Sequence, residues 1–228
     1  MKDKKYILTK ETKEVDGHIL HRIQAIKDFG FVHTGDLGGW VEKEENLSHE
    51  GLCWVFDDAW VCGDAQIIEN ASAYDYAEIK GYAILRGIAT IGDNAIISEK
   101  AEAYGSSCIG DSARVYGYAK ISDFSIIRST AHIYGDANIR QWSNVLGPAK
   151  IYTGEITSTQ DYLVVGPIGS RNSFTTFFKA NGTIMVSCGC FKGTIEEFEE
   201  KVKMRHEFAS SYRRNYLDAI TFAKCKLK

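Results

Sequence analysis

A six-residue repeat fills the middle of the chain and constrains the fold more than any other feature of the sequence. From Cys53 to Gly154 the residues divide into 17 consecutive hexads without an insertion. The first position is Ala in 13 hexads, and the third is Val, Ile or Leu in 15, with Ala73 and Ala103 as the exceptions. Because a strand has a period of two and a helix a period of 3.6, a period of six predicts a different architecture.

The alternation of side chains along a strand explains the hexad. Positions one and three point the same way, so a small and a large apolar residue face inward together, while positions two and four face outward. Positions five and six suit a turn, because Gly tolerates positive φ and Asp or Asn bonds to nearby backbone. Three flat faces and three corners then close a triangular coil. The 17 hexads make nearly six coils, stacked over about 28 Å.

The repeat resembles that of the hexapeptide-repeat family of left-handed parallel β-helices. The resemblance implies the left hand, which is an exception to the usual right-handed crossover between parallel strands. It also implies a trimer. For the enzymes of the family it implies acyl transfer, with acyl-CoA or acyl-carrier substrates held between subunits and a histidine as general base.

The residues before the repeat predict a β-structured cap over residues 1–52. The stretch GHILHRIQAI alternates apolar and polar residues, and Asp16-Gly17 predicts a hairpin turn. The glycine-rich GDLGGW segment, Gly35 to Trp40, is interpreted as a turn into the first coil. The segment from His21 to Ala59 resembles the opening of a bacterial and phage family of uncharacterised β-helix proteins, some of which are named acetyltransferases because of their fold.

The residues after the repeat, 155–228, predict a small α+β appendage. Residues 162–165, 174–179 and 183–191 are expected to form three strands. Thr194 and Glu197 have the spacing of a capping box, which predicts a helix that ends near His206. Residues 210–225 carry an apolar stripe at helical spacing and predict a second helix.

The expected architecture is therefore an all-β left-handed parallel β-helix of about six coils, residues 53–154, between an N-terminal β cap and a C-terminal α+β appendage. The formal net charge is -3, which gives no general reason to expect nucleic acid or an anionic membrane as a partner. No apolar run has the length of a membrane span or of a signal-peptide core. We expect a cytoplasmic protein whose six cysteines stay reduced.

One outward face of the repeat combines tyrosines with basic side chains. Since every third hexad lies on the same face, its C-terminal half carries Arg114, Tyr116, His132, Tyr134, Lys150 and Tyr152. Such a face offers stacking, cation–π contact and phosphate pairing to an anionic ligand with a flat ring, such as a nucleotide. The alternative is that the aromatic residues only stabilise neighbouring coils.

Two segments of the appendage carry weaker signals. The GPIGSRN stretch places Ser170, Arg171 and Asn172 in a glycine-rich turn that can present backbone amides and a guanidinium to an anion, with an ordinary turn as the alternative. The CGCF stretch brings Cys188 and Cys190 to one side of a strand, but this spacing is not that of a structural zinc site. We therefore assign no metal, no cofactor and no catalytic residue from the sequence.

Two classes of function follow. The favoured class is a non-catalytic binding protein of phage or prophage type, an oligomer that captures a nucleotide-like anion or a host protein. Outward isoleucines at positions 68 and 84 predict a subunit interface, and the resemblance favours a trimer. The alternative is a hexapeptide-repeat acyltransferase that uses acyl-CoA, although the coils have no loop insertion and contain a single histidine, His132.

Overall fold

The computed structural model describes residues 3–228, and these begin with an antiparallel hairpin. Its strands are β1 (Tyr6–Val15) and β2 (His18–Ala25), and it turns at Asp16 and Gly17, both with positive φ, as predicted. Strand β3 (Leu37–Val41) pairs antiparallel with β2. The interpretation of Gly35–Trp40 as a turn was wrong from Leu37 onward, because this segment is a strand of the sheet.

Close packing, rather than a turn, explains the paired glycines of β3. A Cβ atom on Gly38 would lie 2.6 Å from side-chain atoms of Ile23 and Trp54, and one on Gly39 would lie 2.4 Å from the carbonyl oxygen of Ala59. A carbon atom does not fit at these distances, so only glycine lets β3 approach both the hairpin and the first coil.

The repeat forms a parallel β-solenoid of about six turns, built from strands of two residues each. In chain order these strands are β4 (Trp54–Val55), β5 (Trp60–Val61), β6 (Gln66–Ile67), β7 (Ser72–Ala73), β8 (Glu78–Ile79), β9 (Ile84–Leu85), β10 (Thr90–Ile91), β11 (Ile96–Ile97), β12 (Glu102–Ala103), β13 (Cys108–Ile109), β14 (Arg114–Val115), β15 (Lys120–Ile121), β16 (Ile126–Ile127), β17 (His132–Ile133), β18 (Asn138–Ile139), β19 (Asn144–Val145), β20 (Lys150–Ile151) and β21 (Glu155–Ile156).

The solenoid strands form three parallel sheets, one for each face of the coil. One sheet runs β3-β5-β8-β11-β14-β17-β20 and includes the hairpin, and the other two contain six strands each. Partners lie one coil apart, as Arg114 does with His132. The expected stack of hexads is confirmed, while the left hand stays a prediction from the resemblance. The last strand, β21, lies just beyond the final hexad.

The solenoid interior contains the small and aliphatic residues that the hexad places inward. Ala113 and Val115 are typical, because both side chains are buried while Arg114 between them is exposed. The large inward residues of successive coils stack into one continuous apolar core along the axis. Burial of this kind is the main stabilising contribution, at about 25 cal/mol per Å² of apolar surface.

The appendage is a four-stranded antiparallel sheet with two helices. Its strands are β22 (Tyr162–Ile168), β23 (Ser173–Ala180), β24 (Thr183–Cys188) and β25 (Phe191–Thr194), and its helices are α1 (Ile195–Arg205) and α2 (Ser211–Lys226). The sequence predicted three strands; the fourth arises because the chain turns at Gly189, with positive φ, and pairs back onto β24. The capping box of Thr194 and Glu197 is confirmed.

The appendage sheet covers the C-terminal end of the solenoid with one face and holds the helices on the other. Phe178 and Ala180 belong to the solenoid core, whereas Phe177 and Val186 pack with α1 and α2. The backbone amide of Lys150, in the last coil, donates to the Thr176 hydroxyl at 3.0 Å. The otherwise open end of the coil stack is thereby capped.

Two further expectations can be checked on the described residues. Among residues 3–228, none of the helices is long and apolar enough to cross a bilayer. All six cysteines are free.

Candidate functional site

The predicted basic and aromatic residues of the solenoid lie together on one surface, which we call the tyrosine face. It consists of Arg114, Tyr116, His132, Tyr134, Lys150 and Tyr152. Strand pairing places Arg114 beside His132 and His132 beside Lys150. Because successive coils are about 4.8 Å apart, the three basic groups form a column about 10 Å long.

The tyrosines form a second column beside the basic one. The rings of Tyr116 and Tyr134 are stacked, with centroids 5.0 Å apart and an interplanar angle of 9°. Those of Tyr134 and Tyr152 are tilted, at 6.0 Å. The rings therefore contact one another from coil to coil, and each ring stabilises its neighbour. These contacts are the ones expected if the aromatic residues stabilise neighbouring coils.

The appendage covers the C-terminal end of the tyrosine column. The Lys192 ammonium lies 4.3 Å from the ring centroid of Tyr134 and 5.3 Å from that of Tyr152. Phe178 meets Tyr152 edge to face. Burial raises the pKa of Tyr152. Tyr152 therefore joins the solenoid to the appendage, and Lys192 adds a further basic side chain to the face.

The opposite end of the tyrosine column is open. Ile97 pairs with Val115, so the residue beside Tyr116 on the preceding coil is Ser98. The ring contacts of Tyr116 are to Tyr134 and His132. Because Ser98 is small, no ring of the described residues stacks on the side of Tyr116 that points away from Tyr134.

A groove adjoins this open end along one corner of the solenoid, and we call it the corner groove. It has a volume of about 640 Å³ and is bounded by Ser98, Lys80 and Tyr118 on the coils and by Asp16 and His18 on the hairpin. Its surface is mainly apolar, with charged groups at the rim. Concave, mostly apolar spaces with a few polar groups are typical of small-molecule sites.

The basic column of the tyrosine face has no acidic partners. None of the ion pairs among residues 3–228 includes Arg114, His132, Lys150 or Lys192. Burial lowers the pKa of His132, and the neighbouring charges of Lys150 and Arg114 lower it further. The neutral imidazole is thus favoured, and the basic side chains of the column form no ion pair among the described residues.

A cluster of possible metal ligands lies at the hairpin end of the corner groove. One donor atom each of His18, Glu42 and Cys62 lies within 4.8 Å of the other two. Zn²⁺ accepts this combination of ligands. However, one Glu42 oxygen contacts His18 Nδ1 at 2.9 Å and the other accepts the Gly63 amide at 2.6 Å. Burial raises the pKa of the Cys62 thiol to about 11. His18 and Glu42 therefore already have hydrogen-bond partners, and the Cys62 thiol keeps its proton at neutral pH.

The three residues of the predicted anion-binding turn, Ser170, Arg171 and Asn172, lie in two different environments. Ser170 and Arg171 line a cavity between the sheet and helix α1. Asn172 instead maintains the turn, with φ of 47° and its amide donating to the Gly169 carbonyl at 3.1 Å. Cys188 accepts a hydrogen bond from Thr175 at 3.2 Å and borders the same cavity.

Sequence reasoning missed the other basic residues of this cavity. Lys201, Arg205 and His206 contribute to its wall from the C-terminal half of α1 and its cap. The spacing of four residues between Lys201 and Arg205 could have shown that these two share one side of a helix. No sequence pattern, however, links them to Arg171.

Comparison with known proteins yields a short match. A segment of 39 residues is 46% identical to the uncharacterized acetyltransferase YdcK of Escherichia coli (strain K12), which corresponds to 17% of this chain and 12% of that protein. No family model matches the chain. The short match and the parallel β-solenoid together agree with the resemblance to hexapeptide-repeat β-helix proteins.

Proposed function

We propose that the chain is a non-catalytic binding protein that captures an anionic small molecule with a planar ring, of the nucleotide type, on the tyrosine face. The observation that carries the proposal is the column of unpaired basic groups beside the open ring of Tyr116. Cations that lie in register without acidic partners repel one another, and an anion relieves that repulsion.

The geometry suggests how such a ligand lies on the face. Its ring stacks on the side of Tyr116 that faces Ser98, a small residue that also borders the corner groove. Its anionic groups extend along the basic column, where the Arg114 guanidinium can bind phosphate with two hydrogen bonds. Lys150 and Lys192 add charge at the far end. The resemblance of residues 21–59 to a bacterial and phage family supports a phage or prophage setting, with a host nucleotide signal as the ligand; a host protein is the other partner to test.

Titration calorimetry with AMP, a cyclic nucleotide and ADP-ribose tests the proposal. Arg114→Ala is expected to weaken binding about ten- to a hundredfold, through loss of a charge-assisted contact. Tyr116→Ala is expected to weaken it to a similar degree, through loss of stacking. Both side chains lie outside the apolar core, so melting temperatures should stay close to that of the wild type.

Lys120→Ala is the matched control, because Lys120 is an exposed outward residue on a different face of the solenoid. Its removal should leave binding unchanged. The proposal fails if no nucleotide binds to the wild type. It also fails if Arg114→Ala and Tyr116→Ala bind the nucleotide as well as the control Lys120→Ala does.

Acyl transfer from acetyl-CoA is the second candidate function. The short match to a protein named an acetyltransferase favours it, and so does the lowered pKa of His132, because a general base must be neutral to accept a proton. An assay with amine, amino-sugar and hydroxyl acceptors decides between the two. We expect no turnover; turnover that disappears in His132→Ala would select the acyltransferase.

A further inference from the structure

The appendage contains a second concentration of positive charge, remote from the tyrosine face. Arg171 enters from the turn between β22 and β23, and Lys201, Arg205 and His206 enter from helix α1 and its cap. We call the space that they surround the basic cavity. None of the residues that line it is an aspartate or a glutamate.

The basic residues that line this cavity have no acidic partners, unlike a neighbouring lysine of the same helix. On the same helix, Glu199 contacts the ammonium groups of both Lys203 and Lys224, the latter at 2.7 Å. By contrast, none of the ion pairs within residues 3–228 includes Arg171, Lys201 or Arg205. Since the chain as a whole has a formal charge of -3, the clustering is not the result of a general excess of basic residues.

The tyrosine and cysteine that border the cavity add polar groups of the right kind. The Cys188 thiol donates to the Tyr216 hydroxyl at 3.9 Å, which leaves the hydrogen of that hydroxyl free to donate. A Cβ on Gly169 would lie 2.0 Å from the Tyr216 hydroxyl oxygen, so the turn that carries Arg171 is packed directly on this ring. Donors from distant parts of the sequence therefore border one space.

The size of the cavity and the residues of its walls indicate which class of ligand it suits. Its volume is about 110 Å³, which suits an anion the size of a tetrahedral oxyanion. Phe191 and Phe198 form an apolar wall on one side. Arg171, Lys201 and Arg205 are exposed, so an anion can reach them from solvent. Hydrogen bonds from guanidinium groups to an oxyanion are charge-assisted and stronger than those between neutral groups.

We propose that the basic cavity binds a phosphate-class oxyanion, either inorganic phosphate or the phosphoryl group of a small phosphomonoester, with Arg171 and Arg205 as the principal contacts. This site is independent of the one proposed on the tyrosine face, because the two share no residue and lie on opposite sides of the appendage sheet. Either one can fail without the other.

Calorimetric titration of the full chain with sodium phosphate and with phenyl phosphate tests the inference. We expect the wild type to bind phosphate, and Arg171→Gln and Arg205→Gln each to weaken binding about ten- to a hundredfold. Tighter binding of phenyl phosphate would identify a phosphomonoester as the ligand, because its ring can pack on Phe191. Equal or weaker binding would identify the free ion.

The control is Arg214→Gln, which removes an exposed arginine of α2 that does not line the cavity. It should bind phosphate like the wild type. Thermal melts identify any variant that fails to fold; if one arginine variant does, the other still provides the test. Absence of phosphate binding by the wild type, or equal binding by wild type and a folded arginine variant, would overturn the inference.

Discussion

At the scale of single residues, the corners of the solenoid contain a hydrogen-bonded series that the repeat alone does not reveal. Asp57, Asp75, Asp93 and Asp111 all have positive φ. The carboxylate of each accepts the backbone amide of the residue one coil further on, at distances of 3.2 to 2.7 Å. Aspartate is suited to this corner because it tolerates the left-handed region and because its carboxylate reaches the next coil.

Asp93 allows a direct test of the corner geometry. Asp93→Ala should be about 1–2 kcal/mol less stable than Asp93→Gly, because both lose the carboxylate but only alanine is strained at a φ of 54°. Urea unfolding measures the difference. At the next position, Asn94, φ is not positive, so Asn94→Ala should be at least as stable as Asn94→Gly. If the alanine variant is less stable than the glycine variant at both positions, or at neither, the explanation by positive φ is contradicted.

His132 makes the stability of the fold depend on pH. Its pKa is lowered in the folded protein by burial, so folding favours the neutral ring. Its contribution to stability is present above 6.5, the ordinary pKa of a histidine in an unfolded chain, and is lost as the pH falls through the lower pKa of the folded state. Urea unfolding at pH 8 and pH 5 should show a smaller loss of stability in His132→Gln than in the wild type. An equal loss in both proteins would contradict the prediction.

At the scale of elements, strand β3 determines how the N-terminal hairpin continues the solenoid. It pairs antiparallel with β2 and parallel with β5, so one short strand changes the direction of pairing within a single sheet. Its paired glycines permit this, because the neighbouring backbone and the Trp54 ring occupy the positions where side chains would lie.

Gly38→Ala is expected to destabilise the junction. The added carbon must displace Ile23 or Trp54, and overpacking of this kind costs roughly 1–3 kcal/mol. Thermal denaturation should show a lower melting temperature. Leu37→Ala, at an exposed position of the same strand, should change it little. A wild-type melting temperature for Gly38→Ala would mean that the space around this glycine can relax.

At the scale of the whole molecule, one corner of the solenoid presents aromatic residues to solvent. The rings of Phe124 and Trp142 stack on each other at 4.3 Å with an interplanar angle of 7°, and Trp142 is 73% exposed. Ile88, two coils before Phe124 on this corner, is also exposed. Exposed apolar groups in one column are typical of a surface that another subunit covers. By contrast, Ile68 and Ile84, from which the sequence predicted an interface, are half-buried within the chain.

We expect the purified protein to be a trimer that uses this corner. Light scattering at micromolar concentration should give three times the mass of one chain. The double substitution of Phe124 and Trp142 by serine should lower that mass, since it removes the apolar surface without altering the buried core. A wild-type monomer would contradict the prediction and would exclude any site formed between subunits.

The sequence by itself determined the solenoid and the composition of its faces. In a repeat, each coil contacts only the coils before and after it, so a fixed offset of three hexads specifies which residues are neighbours. Arg114, His132 and Lys150 could therefore be placed in one column from their spacing alone. The hairpin turn and the capping box were predictable for a related reason, because both depend on residues close together in the chain.

Only the tertiary structure decided what surrounds those columns. Three arrangements join segments that the six-residue repeat does not relate. They are the contact of Lys192 with Tyr134, the position of Arg171 beside helix α1, and the cluster of His18 with Glu42 and Cys62. They depend on how the cap and the appendage dock on the ends of the solenoid, which is determined by the shapes of buried surfaces such as those of Phe178 and Gly38. Such packing is a property of the whole fold, and for that reason the tyrosine face was predictable and the basic cavity was not.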